Sequence, residues 1–594
     1  MRMYNTESHF FEAMVSRECV RLLSLLGMGV ANAVPPKTEP DFEVADLAIE
    51  PLALDDDDVG ASPPRRYRLS AAAGHREWTL ETKVVLGEAD LRRLAHLVAR
   101  LAPVGSTARL QADGHGAGNV FVGLVLAYET GSVPVQLVSG DIGCGLALVP
   151  LVDARGRHVA RASHAEGDAL EYHSYVLASI RRALKRGKVA DQGLSESRYL
   201  AEACRFYGAE LTPWLWSMAF VLRAVGLIDA RCAADEMAVL AFIGRYTQSL
   251  GSSGNHFMEL AADDDGLYWL VVHSGSRALG AKVYGVVAEA CRATTPGGWE
   301  VATGPLAHFY ARAYDALNLF AKLNRVICAV AVLDDLGLET SAPALRSAMA
   351  ATRLFAPTTT DGNALLGGLT HNGLKAFVND ETRQVMHVLS KGAVAVSRRE
   401  SAVIVALRAG EGCVVFTLVD PSCPWRESAL ADVPADYQAV FDAGDGVVFA
   451  GHGAGRAQST SETARQSTFS ELAGLFAREG IAGNLAPGVL GDNPGRAYKP
   501  SAEILPHLPL DGAATRSMMR TCASHKEGLS FRKADVAACA QYVQGAYKAH
   551  PLAPLWCDFN LVRGHLPDAD YEEGVALRDA LLAALSLKYK KLLV

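Results

Sequence analysis

Side chains of the kind that hold metal ions recur along this chain inside short glycine-rich segments. They are Gly140–Gly145 (GDIGCG), Gly251–Leu260 (GSSGNHFMEL), Val271–Gly280 (VVHSGSRALG) and Leu369–Gly373 (LTHNG). A fifth segment, Gly451–Arg456 (GHGAGR), has the same texture without the hard ligands. Glycine lets a backbone approach an ion or a phosphate and take positive φ where a larger residue cannot. If the segments act together, the fold must gather side chains from Asp141 to His452 into one cleft. A lone Cys or His among apolar neighbours is more often a packed core residue than a ligand. Five such segments in one chain are harder to attribute to packing.

Asp141 and Cys144, three residues apart on a tight loop, can turn toward one point. A hard carboxylate, a thiolate and several imidazoles together suit Mn²⁺, Zn²⁺ or Fe²⁺ rather than Ca²⁺ or Mg²⁺. A thiolate can also bridge two ions.

Composition sets outer bounds. Half of the 594 residues are apolar and 21% are charged, enough for a large buried core and unlike a disordered chain. No uncharged apolar stretch reaches 18 residues, so no membrane span is predicted, and Met1–Glu12 lacks the hydrophobic region of a signal peptide. The 11 cysteines are odd in number and form no Cys-x-x-Cys pair, which points to a reducing compartment and a cytoplasmic location. A net charge of −8 argues against a protein that coats nucleic acid non-specifically, but leaves room for a local basic patch.

The first 70 residues read as an extension and linker, with Pro35-Pro36, the acidic run Asp55–Asp58 and Ser62-Pro63-Pro64-Arg65-Arg66. A globular pattern starts near residue 76. Residues 88–102 have helical spacing, with Leu91, Leu94, Leu97 and Val98 on one face. Residues 108–150 are β-rich, 160–250 helical, 266–274 extended and 305–337 helical, and short strands recur from 384 to 451. The residues after 526 read as a helical extension, leaving 71–526 as the main domain.

The order and spelling of the motifs resemble those of the RtcB RNA ligase family. The Asp-x-x-Cys-Gly, Gly-Asn-His-Phe-x-Glu and His-Ser-Gly-Ser-Arg motifs stand here as Asp141/Cys144, Asn255–Glu259 and His273–Arg277. The His-Asn, Lys-Gly-Ala and His-Gly-Ala-Gly-Arg motifs stand as His371-Asn372, Lys391–Ala393 and His452–Arg456. Ala112–Asn119 (ADGHGAGN) is similar to the family's Pro-Asp-x-His-x-Gly loop, and Pro494–Leu505 to its Ala-Tyr-Lys segment. The likeness runs over about residues 76–526.

The resemblance implies an α+β fold, a single large mixed sheet-and-helix catalytic domain with a central metal cleft. It implies two ions, Mn²⁺ or another divalent metal such as Zn²⁺. Asp141, Cys144 and His256 would hold one, and Cys144, His273 and His371 the other. It implies GTP as cofactor, with His452 as the nucleophile that takes GMP. Asn255, His256, Phe257, Glu259, His371, Asn372, Gly453, Ala454, Gly455 and Lys526 would line the nucleotide site. Glu259 suits guanine because a carboxylate can accept from both N1–H and N2–H. Asp113, Arg277 and Lys391 would support a metal ligand or meet RNA, whereas His115 and His387 are expected to be structural. The implied activity joins RNA 3′-phosphate or 2′,3′-cyclic phosphate ends to 5′-hydroxyl ends, in tRNA splicing or RNA repair. The expected enzyme is a monomer without membrane association, and the sequence does not say whether an activating protein is needed. The competing readings are a metal-dependent phosphoesterase of RNA ends and a non-catalytic protein that binds them.

The chain departs from the family pattern at Ser390, where Arg usually precedes Lys-Gly-Ala, and at Gln458-Ser459-Thr460 after the His452 motif. Phe416–Ser428 does not match the loop that helps bind guanine in relatives. These departures fall on the nucleotide and substrate side, while every implied metal ligand and the nucleophile are present.

Overall fold

Apolar runs of strand length form strands buried along their whole course. Gly145–Pro150 and Tyr268–Ser274 are buried at every position, the pattern expected where both faces of a sheet are covered. The computed structural model describes residues 19, 21–26, 47–52, 65–71 and 76–592. Within the last span it omits 118–119, 130, 162–165, 187–194, 252–254, 296–299, 356–368, 409, 492–494, 511–512, 514 and 527–532. The acidic run Asp55–Asp58 and the proline-rich segment up to Pro64 lie outside the described residues.

The architecture is α+β, built on two large sheets. The first, of nine strands, contains β1 (Leu47–Pro51), β2 (Arg65–Ala71), β3 (Arg76–Thr82), β4 (Thr107–Ala117), β5 (Val120–Ala127), β12 (Asn372–Asn379), β13 (Gln384–Lys391), β17 (Trp425–Ser428) and β18 (Gln438–Ala439). Its order is β1-β2-β3-β4-β5-β13-β12-β17, with β18 beside β13. The β3–β4 pair is parallel, and the helix Glu88–Leu101 makes the crossover between them. That helix buries Leu94, Leu97 and Val98, the face read from the sequence.

The second sheet contains β7 (Gly145–Pro150), β8 (Phe257–Ala262), β9 (Tyr268–Ser274), β11 (Leu369–Thr370), β15 (Glu400–Ala406), β16 (Cys413–Val419), β20 (Ala482–Gly483) and β21 (Thr515–Lys526). Its order is β11-β7-β9-β8-β21-β16-β15, with β20 beside β21. Two small antiparallel pairs complete the strands: β6 (Ser132–Pro134) with β10 (Val301–Thr303), and β14 (Ala393–Ser397) with β19 (Val447–Gly451). Chain passes from β11 in one sheet to β12 in the other across His371 alone. From β13 it enters β14 across Gly392, at φ 62°, where a Cβ would come within 2.3 Å of Val122.

The helix Gly304–Leu336 runs through the core, with proline in its first turn and left-handed Gly337 as its cap. It is the one helix among the described residues long and apolar enough to cross a membrane, and 83% of its apolar window is buried inside the protein. Its Arg325 is fully buried and donates to the carbonyls of Gly143 (2.8 Å) and Ser274 (2.5 Å).

Described segments toward both ends of the sequence join this framework. Residues 47–51 and 65–71, read from sequence as extension, pair as β1 and β2 at the edge of the first sheet. Only Leu69 of β2 is buried, so the strand lacks the apolar alternation that would reveal it. The described residues beyond 526 are mainly helical, with Lys533–Ala549 and Asp568–Leu592 the longest elements. All 11 cysteines are free thiols.

Candidate active site

Four loops at strand ends converge. Asp141 and Cys144 lie on the turn that enters β7, His256 precedes β8, His273 lies near the end of β9 and His371 joins β11 to β12. Cys144 Sγ stands 3.4 Å from His256 Nε2 and 3.3 Å from His273 Nε2. His273 Nε2 is 3.2 Å from His371 Nε2, and His256 Nε2 is 2.9 Å from Asp141 Oδ2. Asp141, Cys144 and His256 offer ligand atoms within 4.8 Å of one another, as do Cys144, His273 and His371. Cys144 belongs to both groups.

Backbone carbonyls fix the imidazoles. His256 Nδ1 is 2.7 Å from the Leu250 carbonyl and His273 Nδ1 is 2.9 Å from that of Asn255. A carbonyl only accepts, so each Nδ1 carries a proton and each ring turns its Nε2 toward Cys144. Burial holds His273 and His371 well below the usual histidine range, which favours the neutral, ligating form. Burial, with Asp141 close by, pushes the Cys144 thiol well up. A bound dication would reverse this by stabilising the thiolate. Burial also works to raise Asp141, but the interaction with His256 outweighs it and the carboxyl is held well below its ordinary value. Imidazole nitrogens, a shared sulfur and a carboxylate thus face one another, a donor set that fits one or two borderline-soft divalent ions.

His452 follows β19, its ring 4.6 Å from that of His371 between centroids. Asp113, fully buried, accepts from His452 twice, at 2.6 Å from ring Nδ1 and at 3.0 Å from the backbone amide. Asp113 sits where β4 loses register with β5, between Leu110 and His115. Lys499 Nζ steadies the irregularity by donating to the carbonyls of Ala112 (2.7 Å) and Gly114 (3.3 Å). Gly455, at φ 67°, lies against the same segment, and a Cβ there would come within 2.3 Å of the Asp113 carbonyl.

A cavity of about 340 Å³ opens beside His452, within the range of small-ligand sites. Asn255, Phe257, Glu259, His273, Gly453, Ala454, Gly455 and Lys526 line it. So does Tyr498, whose ring is flanked by Arg456 at 5.1 Å and Lys526 at 5.6 Å. Glu259 accepts from Ser524 (2.8 Å) and Thr521 (3.0 Å), and burial pushes its carboxyl up.

Other sequence candidates lie apart from the cavity. His256, His371 and Asn372 do not line it, and Asn372 Oδ1 instead accepts from the amide of Gly392 at 2.8 Å. Lys391 donates to Ser139 (2.6 Å) close to Asp141 and Cys144, and burial lowers it. Arg277 starts a helix at φ 55°, its amide donating to Asp141 (3.1 Å) and its guanidinium to the Ser249 carbonyl. His115 also lines the cavity, whereas His387 is buried against Tyr128 and pushed down to about 4. Phe416–Ser428 contributes nothing to the lining, and Ala406–Gly412 flanks the cavity instead. Sequence reasoning missed Arg325, Thr521 and Ser524. Of these, only Arg325 left a sign, as a cation at the head of the apolar run Val326–Leu333.

No curated protein matches the chain. Residues 95–334 match the family model of the tRNA-splicing ligase RtcB, a segment holding Asp141, Cys144, His256 and His273 but ending before His371 and His452. Over residues 95–334 the chain is therefore similar to the RtcB tRNA-splicing ligase family.

Proposed function

We propose that the protein is a GTP-dependent RNA ligase that joins 3′-phosphate or 2′,3′-cyclic phosphate ends to 5′-hydroxyl ends through a guanylated His452. The observation that carries this reading is the position of His452. It lines the cavity with its ring against His371 of the Cys144–His273–His371 cluster and has Asp113 at its Nδ1. Asp113 accepts a hydrogen bond from Nδ1–H, which leaves Nε2 with its lone pair for attack on the α-phosphorus of GTP. The N–P bond forms as the bond to the pyrophosphate oxygen breaks. The backbone of His452–Gly455 and Arg456 would border the nucleotide phosphates, and Glu259 and Lys526 its base. A cyclic phosphate end is first opened by water to a 3′-phosphate; GMP then passes from His452 to the 3′-phosphate, and the 5′-hydroxyl attacks that phosphorus with GMP as the leaving group.

Asp141, Cys144 and His256 would hold one divalent ion, and Cys144, His273 and His371 a second, with Mn²⁺ the expected metal. When bound, such ions neutralise charge on phosphoryl oxygens and orient attacking and leaving groups. Lys391 and the Asp141–Arg277 contact would keep the ligand loops in place.

The test is incubation with Mn²⁺ and [α-³²P]GTP. Wild type is expected to retain acid-labile label and His452→Ala to lose it entirely. Label that persists in the variant, or never forms in the wild type, overturns the reading. Release of cyclic phosphate ends as 3′-phosphate, with no label and no joined product, would favour the phosphoesterase instead.

A further inference from the structure

The register of β21 against β8 shifts between Thr521 and Ala523. In a regular strand Thr521 and Ser524, three positions apart, would point to opposite faces. The irregularity at Cys522 turns both toward Glu259, directly across from Ser524 on β8. Ser524 Oγ donates to Oε1 at 2.8 Å and Thr521 Oγ1 to Oε2 at 3.0 Å, so each carboxylate oxygen has its own hydroxyl donor. All three residues line the cavity.

The chemistry of the two protonation states differs. An ionised carboxylate accepts two parallel N–H donors, as guanine offers at N1 and N2. Adenine offers an amino group beside a bare ring nitrogen, an edge that only a protonated carboxyl can match. Burial pushes Glu259 toward the protonated form, and Ser524, Thr521 and Lys526 act against it.

Resting on the ligase reading above, we propose that Thr521 and Ser524 are positioning residues that hold Glu259 as a double acceptor and so set the cavity's preference for guanine over adenine. Equilibrium binding of GMP and AMP to the full chain with Mn²⁺ tests this without label transfer. Wild type is expected to bind GMP at least tenfold more tightly than AMP, and T521V/S524A to lose about tenfold of that ratio, since hydrogen bonds to a charged group are among the stronger ones. T521S/S524T, which keeps both donors, is expected to retain the ratio. Should the double variant fail to fold, the single variants T521V and S524A are each expected to lose part of it. A wild-type protein that does not discriminate overturns the proposal, as do folded variants that keep the full ratio. Loss of label transfer with GMP preference intact removes the ligase reading and leaves the role of Thr521 and Ser524 standing.

Discussion

Asp113 takes both the ring proton and the amide of His452 on one buried oxygen, so its charge and its position are used together. Asp113→Asn keeps the size but can present an amide N–H to the ring, which favours the tautomer with Nε2 protonated and removes the lone pair that the proposed attack requires. Guanylation by D113N is expected to slow by roughly 100-fold or more, as for other residues that fix a catalytic imidazole. Rapid-quench labelling with [α-³²P]GTP reads this, and a rate within threefold of wild type would separate Asp113 from the chemistry. The sequence made the Asp113 motif visible but not its contact, because His452 lies 339 positions away. The metal-type residues were legible for the opposite reason: each combines a rare donor with adjacent glycines, a pattern that survives without knowing the fold. Thr521 and Ser524 carry no such mark. A hydroxyl residue in a strand reads the same whether it faces solvent or a buried carboxylate.

At the scale of elements, the site depends on how loops are braced rather than on the loops alone. Arg325 reaches from the core helix Gly304–Leu336 to the carbonyl of Gly143, beside Cys144, and that of Ser274, beside His273. Asn324, its neighbour, donates to the Ser249 carbonyl at 3.1 Å, next to the Leu250 carbonyl that orients His256. One turn of helix therefore spans three ligand loops. Arg325→Met preserves length and apolar bulk but strands two buried acceptors, each costing about 1–3 kcal/mol. Both a lower Tm and a 10- to 100-fold weaker Mn²⁺ affinity are expected. Calorimetry on the apo and Mn²⁺-loaded protein separates the two effects, and unchanged metal affinity in a folded R325M would deny the brace. The helix itself was readable from its periodicity. The irregularities in β4 and β21 were not, because a register shift exists only relative to a partner strand, and β5 and β8 become partners only in the fold.

Across the whole molecule, the described residues beyond 526 close the core rather than trail from it. Tyr589 is fully buried between Tyr172 and Tyr175, with ring centroids at 5.2 and 5.7 Å. Arg181 of the same helix, Glu166–Arg186, donates to the carbonyls of Leu555 and Cys557, both at 2.9 Å, and Ser174 accepts from Trp556 at 2.9 Å. That helix also packs on β21, the strand that ends in Lys526 at the cavity. A chain cut after residue 532 would expose Tyr172 and Tyr175 and leave Arg181 without those carbonyls. Burying a large side chain contributes about 1.5–3 kcal/mol, and a domain's net stability is only about 5–15 kcal/mol. Loss of Tyr589, Trp556, Phe559 and Leu585 together would consume most of that margin. The truncated protein is therefore expected to be recovered mainly as aggregate, or to melt at least 10 °C lower and bind GMP poorly because β21 loses its backing. A detachable appendage makes the opposite forecast: truncation would leave Tm and GMP affinity at wild-type values. Thermal melts and nucleotide titration of the full and shortened chains decide between them.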